Sequence, residues 1–345
     1  MSVHAVVLAG GSGTRLWPVS SDAHPKQLQA LFSDKPLLQQ AVTRCSLFAP
    51  LDRTWVVADV CVAPQIATVL PGFGLERIIV EPERKGTLGA VALAAAHVAT
   101  LDPEAVLVFL PSDHLCDQPS VLADALAKLA RHLPPGAVGI VGTPVERINP
   151  QLGHFHMERS DSENLIGEPA TVDRYIEKPS RAEGLTPGDW FANMGVVVVS
   201  AATVGSLAGT AASAARALIE GETSARAQWD GLPERRFEDV VLPVADRLVG
   251  IQVPVTWVDV GTWGTLSDAA RGGDLFSGPV TAASTERCVA VSTDLRIDLI
   301  GVEDLIVIAA EGRVIVCHRD RINELDALRA RSGLEVQEEL HNDVR

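Results

Sequence analysis

The chain has 345 residues, more than one domain usually contains, which predicts a large domain accompanied by a smaller one. It carries 29 Lys and Arg against 44 Asp and Glu, and the net charge of −15 argues against nucleic acid or an anionic membrane as a partner. The five cysteines form no C-x-x-C pair and no apolar run approaches the ~20 residues of a membrane span. We therefore expect a cytoplasmic protein without a disulfide framework, a zinc site or a membrane anchor.

Short apolar runs rich in β-branched residues alternate with helical patterns over most of the chain. The predicted strands are Val3–Ala9, Thr54–Ala58, Val106–Leu110, Val138–Gly142, Val172–Ile176, Met194–Ser200 and Val255–Val258. The predicted helices are Pro36–Phe48, Leu88–Leu101, Pro119–His132, Ala201–Glu220 and Glu238–Val249. This alternation is typical of an α/β fold with a mostly parallel sheet and helices on both faces. Ligands bind such sheets at the carboxyl ends of the strands.

The pattern changes near Gly272–Pro279. Three short strand-like segments follow, and then a helical pattern; these segments are Cys288–Ser292, Leu305–Ala309, Arg313–Cys317 and Asp320–Arg331. We therefore expect a catalytic domain over 1–277 and a small β-rich C-terminal domain over 278–345. Its strands are too few for an independent core, so they are expected to bury their apolar faces against the main domain or against a partner. In the second case this domain mediates self-association, for example in a homodimer.

A glycine-rich loop follows the first predicted strand, over Gly10–Pro18, with Lys26 a few residues later. Its glycines let the backbone approach an anion closely, and Arg15 and Lys26 place positive charge beside it. The spacing fits neither G-x-G-x-x-G nor G-x-x-x-x-G-K-[ST], so it is neither a dinucleotide loop nor a P-loop. The loop is predicted to bind a phosphate group.

Two carboxylates lie just after predicted strands. Asp113 follows Val106–Leu110, and Asp259 follows Val255–Val258. Such a pair suits a hard cation with oxygen ligands. The alternative is that each aspartate caps a following helix, as Asp often does after a strand. We expect a supporting role for His114.

The stretch Leu8–Gln27 resembles the signature of sugar-nucleotide pyrophosphorylases, and Arg15-Leu16-Trp17-Pro18 with Pro25-Lys26-Gln27 resembles their mannose-1-phosphate guanylyltransferase branch. Further motifs follow in family order: Glu81-Pro82, Pro111-Ser112-Asp113-His114, Glu177-Lys178-Pro179, Asn193-x-Gly195 and Trp257–Trp263. The resemblance implies a Rossmann-like nucleotidyltransferase domain that uses Mg²⁺. In the implied reaction a sugar-1-phosphate oxygen attacks the α-phosphorus of a nucleoside triphosphate. The attacking phosphate is already ionised, so alignment and charge neutralisation drive catalysis.

The resemblance also implies a role for each matching residue, with GTP and mannose-1-phosphate as the substrates. The implied catalytic cations are Arg15, Lys26 and Lys178, and the implied metal ligands are Asp113 and Asp259. The implied nucleotide-binding residues are Leu8, Ala9, Gly10, Gly11, Gly13, Thr14, Glu81, Gly86, Thr87 and Ser112. The implied sugar-binding residues are Gly153, Glu177 and Asn193.

Glu81 favours guanine among the bases. Guanine presents N1–H and N2–H₂ side by side, and one carboxylate accepts hydrogen bonds from both. The family members that use uridine or thymidine nucleotides carry Gln at this position. The sequence therefore predicts a guanine nucleotide, with a plain surface glutamate as the alternative.

Two segments depart from the family pattern. Residues 84–90 replace the usual R-N-T-A-P-A, although Thr87 remains and is predicted to be the N-cap of the helix Leu88–Leu101. The usual G-Y-G-Y sugar loop is reduced to Gly153-His154-Phe155-His156. Two alternatives stay open: a different hexose- or heptose-1-phosphate, and a non-catalytic regulatory subunit that only binds a sugar nucleotide. The intact charged residues argue against the second.

Overall fold

The computed structural model describes residues 2–11, 14–21, 24–145, 148–158, 166–179, 185–186 and 189–331. The chain divides into two compact units. The first consists of Met1–Gly11 and Pro36–Trp257, and the second of Ser12–Lys35 and Val258–Arg345. The predicted domain boundary at residue 278 stays a prediction.

The first unit contains ten strands and eight helices within the described ranges. The strands are β1 (Val3–Leu8), β2 (Thr54–Asp59), β3 (Ile78–Glu81), β4 (Val106–Pro111), β5 (His114–Cys116), β6 (Val138–Pro144), β7 (His154–Met157), β8 (Pro169–Ile176), β9 (Trp190–Ser200) and β10 (Leu248–Gln252). The helices are α1 (Leu37–Cys45), α2 (Ala63–Val69), α3 (Gly86–Leu101), α4 (Pro119–His132), α5 (Ala201–Leu207), α6 (Gly209–Glu220), α7 (Ala225–Asp230) and α8 (Phe237–Val240). A short strand, β11 (Trp257–Asp259), ends this unit and begins the next.

The central sheet has nine strands in the order β3-β2-β1-β4-β9-β6-β10-β8-β7. β1 pairs in parallel with β2 and β4, β2 with β3, and β6 with β10. β9 is antiparallel to β4 and β6, and β8 is antiparallel to β10 and β7. Most strands therefore point the same way. Every residue of β2 is buried, as expected for a strand covered on both faces of the sheet. The predicted α/β fold is confirmed.

Several predicted elements differ from the structure; β8 and β9, for example, begin three and four residues before their predicted starts, at Pro169 and Trp190. The helix expected over 201–220 is two helices, because Gly209, the first residue of α6, adopts a φ of 53° that a continuous helix does not allow. The helix expected over 238–249 is wrong, because α8 ends at Val240 and β10 begins at Leu248. Pro243 lacks the N–H that a continuing helix needs. The strand expected over 255–258 begins two residues later, at Trp257.

The second unit is built largely of short strands. They are β12 (Leu275–Ser277), β13 (Val280–Ala283), β14 (Val289–Ser292), β15 (Ile297–Ile300), β16 (Leu305–Ala310) and β17 (Arg313–His318), preceded by helix α9 (Trp263–Ala269). The sheet β12-β14-β16 is parallel, β17 joins it antiparallel, and β13 pairs in parallel with β15. Their apolar side chains share a small core that includes Ile297, Leu299 and Val307. The predicted β-rich C-terminal part is confirmed.

The segment Ser12–Lys35 belongs to this second unit although it lies near the start of the chain. The indole N–H of Trp263 donates to the carbonyl of Trp17 at 2.9 Å, and the backbone N–H of Phe32 donates to the hydroxyl of Ser277 at 2.8 Å. Within the described ranges, every helix is too short or too polar to cross a bilayer.

Candidate active site

The carboxyl ends of β1, β2 and β4 meet at one edge of the central sheet. The N–H of Ala9 donates to the carbonyl of Val57 at 2.8 Å, and the N–H of Ser112 donates to the carbonyl of Leu8 at 3.1 Å. Leu8, Ala9 and the buried Ser112 therefore lie together at the edge where a parallel sheet binds ligands.

The structure describes only part of the glycine-rich loop beyond Gly10. Gly11 and Arg15 are exposed, and Arg15 lies in a short 3₁₀ turn, Thr14–Leu16. Gly13 and the side chain of Thr14 lie outside the described residues. The role of this loop in phosphate binding stays a prediction.

Glu81 is the last residue of β3, and its side chain is almost completely buried, with 2% of the residue exposed. No described group forms a hydrogen bond with its buried Oε1 atom. A Cβ atom on Gly10 would lie 2.9 Å from Oε2, so the loop backbone passes directly against this carboxyl group. Burial, and next the negative charge of Asp59, raise the pKa of Glu81 to about 8. Below a pH of about 8 this carboxyl group is mainly protonated, and its burial with an unpaired Oε1 costs free energy.

Asp59 and Arg84 form an ion pair close to Glu81, and sequence analysis missed both. Asp59 is buried at the end of β2, and its Oδ1 accepts hydrogen bonds from the N–H groups of Cys61 (2.7 Å) and Val62 (3.0 Å). The Nε atom of Arg84 lies 2.5 Å from its Oδ2. A polar residue that ends an apolar strand is the signal that would have found Asp59.

Thr87 is not the N-cap of α3. The helix begins at Gly86, and Lys85 precedes it without a side-chain cap. The Thr87 hydroxyl instead accepts a hydrogen bond from the N–H of Phe237 (2.8 Å) and donates one to Oε2 of Glu238 (3.0 Å). The predicted cap was wrong because this hydroxyl joins α3 to α8, a contact across 150 residues of chain.

The three predicted sugar-binding residues lie together. The N–H of Asn193 donates to the carbonyl of Gly153 at 2.9 Å. The Tyr175 hydroxyl donates to Oε2 of Glu177 at 2.6 Å and accepts from the Asn193 amide at 3.4 Å. Arg236 donates to the other Glu177 oxygen at 2.8 Å. Sequence analysis missed Tyr175 and Arg236; the first lies only two residues before Glu177, whereas nothing in the sequence points to the second.

Lys178 is exposed in the turn after β8, and its φ of 50° is left-handed. This conformation is uncommon for a residue with a side chain and costs roughly 1 kcal/mol. Strained residues are concentrated at ligand sites, where the surrounding structure holds them in place. The backbone of Lys178 is therefore held in an uncommon conformation directly after Glu177.

Asp113 follows β4 and lies half-buried in the first unit, with Oδ1 3.2 Å from Nδ1 of His114. The His114 ring stacks on Trp257, with centroids 5.1 Å apart. The guanidinium of the buried Arg44 lies 5.1 Å from the Trp257 ring and donates to the His114 carbonyl at 3.2 Å. Strand β5 begins directly after Asp113, so the helix-cap alternative for Asp113 is wrong.

Asp259 and Lys26 belong to the second unit. Lys26 is buried, and its ammonium donates to the carbonyl of Val260 at 2.8 Å, directly after Asp259. The N-cap of α9 is Thr262, whose hydroxyl accepts from the N–H of Thr265. The helix-cap alternative is therefore wrong for Asp259 as well. The binding and catalytic roles of all these residues stay predictions.

Two family models match the chain in succession. A nucleotidyl transferase model matches residues 4–273, and a MannoseP isomerase/GMP-like beta-helix domain model matches residues 278–326. The chain belongs to the nucleotidyl transferase family. The expected enzyme class is therefore confirmed, and the second match agrees with the short parallel strands of the C-terminal part.

The sequences of several known proteins align with most of this chain. The alginate biosynthesis protein AlgA of Pseudomonas aeruginosa is 26% identical over 93% of this chain and 70% of its own length. Mannose-1-phosphate guanylyltransferase 2 of Escherichia coli O157:H7 is 26% identical over 93% of this chain and 71% of its own length. A crystal structure described as mannose-1-phosphate geranyltransferase from Thermus thermophilus has a TM-score of 0.83 and 26% identity, covering 96% of this chain and all of that one. The resemblance found in the motifs is confirmed.

Proposed function

We propose that this nucleotidyl transferase is a mannose-1-phosphate guanylyltransferase, which converts GTP and mannose-1-phosphate to GDP-mannose and pyrophosphate. The observation that carries the proposal is Glu81, a buried carboxyl group with an unpaired oxygen, against which the Gly10 backbone packs. The guanine edge supplies the two adjacent donors that such a group lacks. The names of the similar proteins support mannose-1-phosphate as the other substrate. We also propose a cytoplasmic location, in keeping with five free cysteines.

The reaction requires no protein nucleophile. An ionised oxygen of the sugar phosphate forms a bond to the α-phosphorus of GTP while the bond to the pyrophosphate oxygen breaks. In this proposal Arg15 and Lys26 neutralise the phosphates of GTP, and Lys178 holds the sugar phosphate. The enzyme thus accelerates the step by alignment and by charge neutralisation.

We propose Asp113 and Asp259 as the ligands of a Mg²⁺ ion. Both are carboxylates at strand ends, and neither caps a helix. The His114 ring beside Asp113 stacks on Trp257, and Asp259 follows Trp257 by two residues along the chain. Oxygen ligands of this kind suit Mg²⁺, which would neutralise phosphate charge when bound.

The proposal is tested by measuring pyrophosphate release from GTP with a panel of sugar-1-phosphates. We expect the highest kcat/KM with mannose-1-phosphate. A higher value with another hexose- or heptose-1-phosphate would correct the sugar. If the protein binds GTP and GDP-mannose but releases no pyrophosphate, the result would instead favour the non-catalytic regulatory subunit.

The cations of the site are expected to divide between the two substrates. Arg15→Ala and Lys26→Ala should raise the KM for GTP, and Lys178→Ala the KM for the sugar phosphate, each by roughly 10- to 100-fold, because a charge-assisted hydrogen bond is lost. Steady-state kinetics with each substrate varied separately measure this. Lys128, which pairs with Glu168 on the surface, provides the matched control Lys128→Ala. Equal effects on both substrates from all three changes would contradict the assignment.

We propose that the C-terminal part mediates self-association as a homodimer. The edge strand β17 exposes Val314 and Val316, with 57% and 58% of each residue accessible to solvent. Val314→Lys with Val316→Lys should lower the mass measured by light scattering to that of a monomer, because charge would replace the apolar contact. An unchanged mass for the folded double variant would reject this surface.

A further inference from the structure

Tyr175 is the single tyrosine of the chain, and it lies half-buried on β8. Its hydroxyl donates to Oε2 of Glu177 at 2.6 Å and accepts from the Asn193 amide at 3.4 Å. One hydroxyl therefore contacts both of the side chains that the motifs assign to the sugar. Neither the motifs nor the proposed mechanism gives Tyr175 a role.

The Glu177 carboxylate is held from both ends. Tyr175 donates to Oε2, and Arg236 donates to Oε1 at 2.8 Å. Arg236 also pairs with Asp239, so its position is fixed in turn. A carboxylate oxygen accepts two hydrogen bonds, so with respect to the described residues one acceptor position is left on each oxygen of Glu177. Two such positions side by side suit two neighbouring hydroxyl groups of a sugar.

The backbone at Gly153 packs against the same hydroxyl. A Cβ atom at residue 153 would lie 2.4 Å from the Tyr175 oxygen and 2.6 Å from Oε2 of Glu177. The carbonyl of Gly153 accepts a hydrogen bond from the Asn193 N–H at 2.9 Å. All three predicted sugar residues are thus arranged around the hydroxyl of Tyr175.

The Tyr175 hydroxyl remains a donor across the neutral pH range. Burial, and next the hydrogen bond to Glu177, raise the pKa of Tyr175 above its ordinary value. A phenol has one proton to donate, and here Glu177 receives it. Tyr175 therefore acts on a ligand through Glu177, as a positioning residue.

We propose that Tyr175 positions Glu177 and Asn193 to bind two adjacent hydroxyl groups of a neutral sugar-1-phosphate. This inference rests on the proposed function of Glu177 and Asn193. It identifies the substrate class as a sugar phosphate that keeps both hydroxyls, so that loss of either one weakens binding.

The variant Tyr175→Phe keeps the ring and removes the hydroxyl. We expect a roughly tenfold rise in the KM for mannose-1-phosphate and an unchanged KM for GTP, because Glu177 loses a donor and Asn193 loses an acceptor, and both residues belong to the proposed sugar site. Asp173→Asn is the matched control on the same strand: Asp173 pairs with His156 and should leave both constants unchanged. A purely structural role for Tyr175 would lower the thermal midpoint and change both KM values together.

A second measurement uses the unaltered sequence. Biosynthetic fluorotyrosine labels one position only, because the chain has one tyrosine. We expect mannose-1-phosphate to shift the single fluorine NMR resonance, and its deoxy analogues to shift it less at equal concentration. Two results together would overturn the role of Tyr175 in an active enzyme. They are a fluorine resonance that does not shift at saturating mannose-1-phosphate, and wild-type KM values for Tyr175→Phe. Absence of pyrophosphate release by the wild type would overturn the proposed function, and the resonance alone would then decide Tyr175.

Discussion

Asp113→Asn and Asp259→Asn are each expected to lower kcat by roughly 100-fold or more, because loss of a metal ligand removes transition-state stabilisation of about 3 kcal/mol. Asparagine keeps the size of the side chain and removes its charge, and neither aspartate caps a helix. The thermal midpoints should therefore stay close to that of the wild type. The measurement is kcat as a function of Mg²⁺ concentration for each variant.

The control for these two variants is Asp268→Asn. Asp268 is an exposed residue of α9 that pairs with Arg271 at 3.0 Å. Its replacement should leave both kcat and the Mg²⁺ dependence unchanged. Near wild-type rates for both Asp113→Asn and Asp259→Asn at saturating Mg²⁺ would show that these two residues do not form the metal site.

Glu81→Gln is expected to lose most of the preference for GTP while it keeps Mg²⁺-dependent transfer with other nucleotides. A carboxylate accepts both guanine donors, whereas an amide accepts only through its oxygen and leaves its N–H₂ facing a donor. The cost of the mismatched pair is roughly 1–3 kcal/mol, which corresponds to about 5- to 150-fold in discrimination. The measurement compares kcat/KM for GTP, ATP, UTP and dTTP in the wild type and the variant above a pH of about 8, where Glu81 is ionised. Glu83→Gln, two residues away and paired with Lys85, is the control.

The pH dependence of GTP use tests the same role of Glu81. Its pKa in the free protein is raised to about 8, so the proton must leave before the carboxylate accepts hydrogen bonds from guanine. The wild-type kcat/KM for GTP should therefore rise with pH up to about 8 and then level, and this rise should be absent in Glu81→Gln. Below that pH the neutral acid both donates and accepts, so the wild type should approach the variant in its choice of base.

The free energy of unfolding should fall with rising pH over the range in which kcat/KM for GTP rises. A carboxyl group whose folded-state pKa is raised contributes stability at low pH and loses it as the pH rises through about 8. Glu81→Gln should therefore have a higher thermal midpoint than the wild type above that pH. A wild-type preference for a nucleotide other than GTP would reject the guanylyl assignment, and an unchanged preference in the variant would reject only the role of Glu81.

The sequence predicted the elements whose apolar pattern is regular. Strands such as β1, β2 and β4 are nearly continuous apolar runs, and their positions agree with the prediction within one residue. The segment 238–249 failed because its apolar residues fit helical spacing, while Pro243 and the pairing of β10 between β6 and β8 decide its structure. The spacing of apolar residues within a segment does not predict pairing with strands that are distant in the sequence.

The candidate site was predictable where residues form short motifs and unpredictable where contacts join distant segments. Glu177 and Asn193 lie in recognisable motifs, whereas Arg236 reaches Glu177 across 59 residues of chain. The Thr87 hydroxyl likewise donates a hydrogen bond to Glu238, 151 residues away, and does not cap its own helix. The ion pair of Asp59 and Arg84 was not predicted because Asp59 belongs to no motif, although it ends a strand at the binding edge.

The discontinuous second unit has a consequence for biosynthesis. Trp17 and its hydrogen-bond partner Trp263 are separated by 246 residues, and Phe32 and Ser277 by 245. At a translation rate of roughly 5–20 residues per second, the segment that carries Arg15 and Lys26 emerges from the ribosome on the order of 10–50 s before its native partners. The first unit can complete its sheet during that interval, before the hydrogen-bond partners of this segment in the second unit have been synthesised. A nascent chain that ends before Val258 would therefore contain all strands of the central sheet and would lack the Val260 carbonyl, to which Lys26 donates.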